Sequence, residues 1–62
     1  MSDPTIAVTE KTRTYVYDDG PAVYRNVVEV TERAGGFHTV KTADGREHAV
    51  TPGWLWAEPV PV

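Results

Sequence analysis

Nineteen of the 62 residues branch at Cβ (ten Val, eight Thr and one Ile), while Leu occurs once, at Leu55. Branching at Cβ restricts χ1 and crowds the preceding turn of a helix, yet the same side chains pack well on a pleated surface. A chain of this composition is expected to fold into strands. Its length suits one small domain, and such a domain buries only about 60% of the surface its unfolded chain exposes. The core must therefore be thin.

Several function classes fall away on composition. Without Cys there is no disulfide framework, Cys-ligated zinc or iron–sulfur centre, or thiol nucleophile. The longest apolar run, Trp54–Ala57, is far short of the ~20 residues that span a bilayer. Met1-Ser2-Asp3-Pro4 has neither the basic nor the apolar region of a secretory signal, so a cytoplasmic protein without membrane contact is expected. Six basic against nine acidic side chains give a formal charge of −3. Nucleic-acid binders normally carry a basic excess or stripe, so this balance disfavours nucleic acid as the partner.

Three regions are expected: a flexible lead-in at 1–11, one domain at 12–58, and an extended Pro-Val tail at 59–62, where alternate prolines forbid helix and central strand. Thr12–Tyr17 has strand composition and is closed by the turn cluster Asp18-Asp19-Gly20-Pro21. Residues 22–34 admit two readings. As a helix packed on a three-stranded sheet (an α+β fold), they place Val23, Tyr24, Val27, Val30, Thr31 and Ala34 on one face. As a strand they alternate less cleanly, but Val, Tyr and Thr suit it better.

The neighbouring segments favour the strand. Ala43-Asp44-Gly45 signals a hairpin in which Gly45 takes the left-handed position after a type I turn. That loop sets Lys41 opposite Glu47 and Val40 opposite His48. A similar loop at Ala34-Gly35-Gly36 sets Val30 opposite Val40, Glu29 opposite Lys41 and Glu32 opposite His38. One register thus gives a Glu29–Lys41–Glu47 ladder of alternating charge on one face. The other face gathers Val28, Val30, Val40 and Val50. The expected fold is all-β: about five antiparallel strands curled into a small, partly open barrel, with Trp54-Leu55-Trp56 forming a turn and last strand after Pro52-Gly53.

The stretch RNVVEVTERAGGFHTVKTADGREHAVTPGWLW resembles the small Src-homology-3-like barrels of the Tudor and KOW kind, over about residues 22–58. The shared features are a V-x-V strand, a glycine turn, a strand ending in D-G, another strand, and a short turn with aromatic residues. Tyr15-Val16-Tyr17-Asp18-Asp19 differs from the first-strand segment of the peptide-binding members, and Pro52-Gly53-Trp54 is spaced differently from their P-x-x-Y. Their proline-rich ligand therefore does not carry over by residue. The resemblance implies a binding barrel, while its members span peptide, nucleic-acid and subunit contacts.

Six large rings, Tyr15, Tyr17, Tyr24, Phe37, Trp54 and Trp56, are more than so small an interior holds. Tyr15 and Tyr17 share a strand face, and Trp54 and Trp56 would share one if extended. Tyr15, Tyr17, Tyr24, Trp54 and Trp56, with Glu32 and His38 at the rim, are the candidate partner-binding residues. His38, His48 and Glu32 lie on one face in this register, but polar rim residues explain them better than metal ligands, and no metal or cofactor is expected. No Ser accompanies a His, and the Asp18-Asp19 pair belongs to a turn, so no catalytic residue is assigned and the protein is not expected to be an enzyme. A nucleic-acid role would require Arg13, Arg25 and a hairpin-tip Arg33 or Arg46 to converge beside the aromatics. The expected function is a non-enzymatic protein-binding module, a small accessory or regulatory factor of bacterial or phage origin; a nucleic-acid-associated barrel is the alternative. Self-association through an edge strand is a further expectation for so thin a core.

Overall fold

In the computed structural model, which describes residues 4–62, five strands form one antiparallel sheet: β1 (Thr5–Tyr17), β2 (Gly20–Glu32), β3 (His38–Thr42), β4 (Glu47–Val50) and β5 (Trp56–Pro61). The spatial order is β4-β3-β2-β1-β5. The sheet curls without closing, and β4 and β5 remain its two edges. No α-helix occurs among the described residues. Residues 22–32 run as strand, and a single 3-10 turn at Ala34–Gly36 follows in place of an α-helix: the β-branched side chains prevail over the amphipathic spacing.

The expected hairpin registers hold. Val30 pairs with Val40, Glu29 with Lys41 and Glu32 with His38, while Val40 pairs with His48, Lys41 with Glu47 and His38 with Val50. Glu29 and Lys41 form an ion pair at 3.5 Å. In the second hairpin Gly45 has φ +87°, and its N–H donates to the Thr42 carbonyl. The turn is held further by Asp44, which accepts from Thr42 Oγ1 and the Arg46 N–H.

Three irregularities bend the sheet. β1 carries an extra residue relative to β2 between Ala7 and Glu10, and another relative to β5 between Glu10 and Thr12. β2 carries one relative to β3 between Val27 and Glu29, next to Asn26 at φ +55°. An inserted residue reverses side-chain parity and sharpens the local twist. The long β1–β2 ribbon thereby folds one half of the sheet (β5 with the later part of β1 and the start of β2) toward the other (the end of β2 with β3 and β4). Tyr15 of the first half meets His38 of the second across the enclosed space, hydroxyl to Nδ1 at 2.8 Å. The core between the halves is Tyr15, Val27, Val30, Val40 and Val50.

The bulge overturns one expectation. Val28 was expected beside Val30, Val40 and Val50, but it is 36% exposed and Val27 takes the place at 1%. We predict that Val27→Ala costs about 1.5–3 kcal/mol, the value of a fully buried Val side chain. Val28→Thr should stay within about 0.5 kcal/mol, as surface changes do. Urea unfolding followed by tryptophan fluorescence separates the two.

Both regions flanking the central block take part in the sheet. Residues 5–11 belong to β1, paired with the second half of β2; residues 1–3 lie outside the described structure. Pro59, Val60 and Pro61 belong to β5, which runs along β1 as an edge strand, a position that tolerates the missing N–H of proline.

Candidate functional site

Strand register assigns each aromatic side chain to a side. Directly opposed residues of an antiparallel pair share a face. Buried Tyr15 therefore fixes an inner face that includes Arg13, Tyr17 and, through the Arg13–Tyr24 pair, Tyr24. His38 and His48 join from β3 and β4, because His48 pairs with buried Val40 and His38 with buried Val50. Trp54, in the β4–β5 connection, packs on the same side.

The rings form one aromatic cluster, the aromatic bowl, packed around fully buried Tyr15. Tyr15 touches Tyr24, His38 and Trp54 edge to face, at centroid distances of 6.1, 5.6 and 5.3 Å. His38 and Trp54 lie 5.3 Å apart, as do Tyr24 and His48. Tyr17, Tyr24, His38, His48 and Trp54 are half-buried and form the walls. Tyr17 is anchored by donating its hydroxyl to the Thr51 carbonyl at 2.8 Å.

Beneath the bowl runs a polar chain. Arg13 Nη1 donates to Glu10 Oε2 at 2.9 Å, and Arg13 Nε donates to the Tyr15 hydroxyl at 2.9 Å. The hydroxyl also meets His38 Nδ1 at 2.8 Å, with the imidazole tautomer setting which of the two donates. Arg13 also lies over the Tyr15 ring, 5.4 Å from its centroid. The Glu10 and Arg13 side chains are only 9% and 15% exposed. Glu10 Oε1 is buried without a hydrogen-bond partner.

Burial raises the Tyr15 hydroxyl above its ordinary value, with Arg13 opposing. Tyr24 is raised by burial and by nearby Tyr17. His38 is lowered below the ordinary imidazole value of 6.5, first by burial and then by the Arg13 charge, against the pull of Glu32. A depressed imidazole pKa means that the unfolded chain binds the proton more readily. The associated stability is thus complete above pH 6.5 and is lost as pH falls through the folded-state value. Urea midpoints should decline on acidification from pH 8 through this window, and His38→Gln should flatten that part of the profile.

The expected contact residues are not one surface. Tyr17, Tyr24, Trp54 and His38 come together around the bowl. Tyr15 is 0% exposed and supports the bowl from below, because its parity points it into the fold. Glu32 is exposed and pairs in register with His38 at the rim. Trp56 lies opposite Val16 on the outer face, with its indole N–H donated to Glu58. It does not share a face with Trp54, since the chain between them is not extended. His48, Arg13 and Glu10 complete the site although the sequence did not single them out for it. On a regular strand positions 10 and 13 would point apart, and only the bulge at Lys11 brings them together.

Other groupings do not form. Arg13 is held inside, Arg25 faces out opposite Thr12, and Arg33 and Arg46 belong to separate loops, so the basic residues do not converge beside the rings. His38 Nδ1 is engaged by Tyr15, and His48 Nε2 by Thr42 Oγ1 at 3.3 Å. No group of three potential metal ligands occurs among the described residues. No helix among them is long and apolar enough to cross a membrane. Comparison with protein-family models, with curated proteins and with solved structures finds no match to this chain.

Proposed function

We propose that the protein is a non-enzymatic binding module that holds a segment of a protein partner against the aromatic bowl. It would act as a small accessory or regulatory factor in the cytoplasm of a bacterium or as a phage product. One observation carries this reading: Tyr17, Tyr24, His38, His48 and Trp54 ring a fully buried tyrosine and are themselves only half covered. Rigid aromatic walls give large contact area at low entropic cost and hold prolines, cationic groups or apolar side chains. The curled all-β sheet is compatible with kinship to Src-homology-3-like barrels, which supports a binding role in general terms and does not select a ligand.

The test is affinity capture from a lysate of the source organism, repeated with Trp54→Ala, Tyr24→Ala and Trp56→Ala, each verified as folded by circular dichroism. A protein retained by the parent and by Trp56→Ala, with binding weakened tenfold or more by Trp54→Ala, is the expected result; a hot-spot tryptophan contributes about 2 kcal/mol or more. Equal retention by all four baits would refute the bowl as the contact site. Retention of oligonucleotide in its place, with affinity falling steeply as salt rises, would favour a nucleic-acid barrel.

A further inference from the structure

We propose that the outer face of β5, β1 and β2 is a self-association surface on which a second copy of this chain docks face to face. Register alone lays out the surface. Trp56, Val16 and Pro21 form one cross-strand row, Glu58, Thr14 and Val23 the next, and Val60, Thr12 and Arg25 the third. Trp56, Val23 and Val60 are each about half exposed, at 49%, 52% and 46%, and Leu55 adjoins them at 58%. Among the described residues only five apolar side chains are buried, against eight large ones left exposed.

The same molecule supplies an internal comparison. The outer face of its other half is polar: Thr5, Glu29, Thr31, Thr39, Lys41 and Glu47 surround an open depression of about 250 Å³. There Thr5 and Thr31 share a hydrogen bond, and Glu29 pairs with Lys41. This is how a sheet face meets water, with polar side chains opposite one another. The β5-β1-β2 face instead carries Trp56, Val16, Pro21, Val23 and Val60 among Thr12, Thr14, Glu58 and Arg25. A face of alternate character on one sheet marks a surface meant to be covered.

Charge and shape indicate a second copy as the occupant. Glu58 lies on the β5 side of the patch and Arg25 on the β2 side, so the patch is self-complementary. A two-fold axis running along β1 brings β5 of one copy over β2 of the other, setting Glu58 diagonal to Arg25 twice. A two-fold axis across the strands would instead stack Glu58 on Glu58. Isologous packing of this kind repeats each contact, and sheets stack with strands within about 30° of one another.

Sedimentation velocity across micromolar to millimolar protein tests the proposal. A monomer–dimer equilibrium is expected, weakened at least tenfold by Val23→Glu, by Glu58→Arg and by Arg25→Glu, with the Glu58→Arg/Arg25→Glu double variant restored toward the parent. Circular dichroism of each variant separates loss of association from loss of fold. A parent that stays monomeric at millimolar concentration overturns the proposal. So does a dimer indifferent to Val23→Glu, which would assign association to the open β4 or β5 edge. Trp54→Ala, on the opposite side, should leave the dimer intact, so the outcome is independent of partner capture by the bowl.

Discussion

Tyr15→Ala is expected to leave the chain unfolded at 25 °C. The side chain is fully buried and is the largest in a core of five. Large aromatic-to-Ala changes in cores cost about 3–5 kcal/mol, and a domain of this size has roughly 3–9 kcal/mol in total at the usual per-residue stability. The loss is worse than a cavity alone, because Tyr24, His38 and Trp54 all lean on this ring. Tyr15→Phe isolates the hydroxyl. It preserves the ring but leaves Arg13 Nε and His38 Nδ1 without their shared partner, at a cost of about 1–3 kcal/mol. Circular dichroism and urea titration should therefore show a folded, weakened Phe variant and an unfolded Ala variant. A well-folded Ala variant would mean that the two halves of the sheet are not held together through this residue.

Arg13→Ala carries the second large effect, about 3–5 kcal/mol, the usual consequence of removing one partner of a buried ion pair. Glu10 Oε1 already lacks a hydrogen-bond donor, and without Arg13 its other oxygen is stranded too. The double replacement Glu10→Met/Arg13→Met should recover much of the loss, because apolar side chains of similar volume need no such partner. The pair is largely buried, so added salt should barely change the parent's stability, whereas an exposed pair would be screened. A loss below about 1 kcal/mol for Arg13→Ala would show that the pair behaves as a solvated one.

These two residues also mark where sequence reasoning succeeds and where it stops. The hairpins around Ala34–Gly36 and Ala43–Gly45 were legible because glycine turns fix loop length, and loop length fixes which side chains face each other. Glu29–Lys41–Glu47 and Val30–Val40 follow from that alone. Period-two alternation breaks wherever a residue is inserted, and no residue type announces a bulge. Alternation alone therefore puts Val28 inside in preference to Val27 and separates Glu10 from Arg13. The pairing of Thr5–Glu10 with Val27–Thr31 is not legible in the same way, because no tight turn joins these distant segments and sets their register. Most of the aromatic site was visible as an excess of rings over interior volume. Which ring became fully buried, and that Trp56 would turn away from Trp54, depended on parity that composition does not carry.

The edge position of β5 has a kinetic consequence. Pro59 and Pro61 stand opposite Arg13 and Glu10, and the N–H of Val62 beside them reaches the Thr9 carbonyl of β1, which leaves the proline nitrogens on the open side of the strand. This strand is joined to the sheet along one side only, through β1. It is also the element whose pairing spans the greatest stretch of chain, from Glu10 to Pro61. Local opening should start there, at a free energy below that of global unfolding. Each such excursion would admit water to the Glu10–Arg13 pair while the β2–β3–β4 meander stays intact, making the proline strand the hinged door of the molecule.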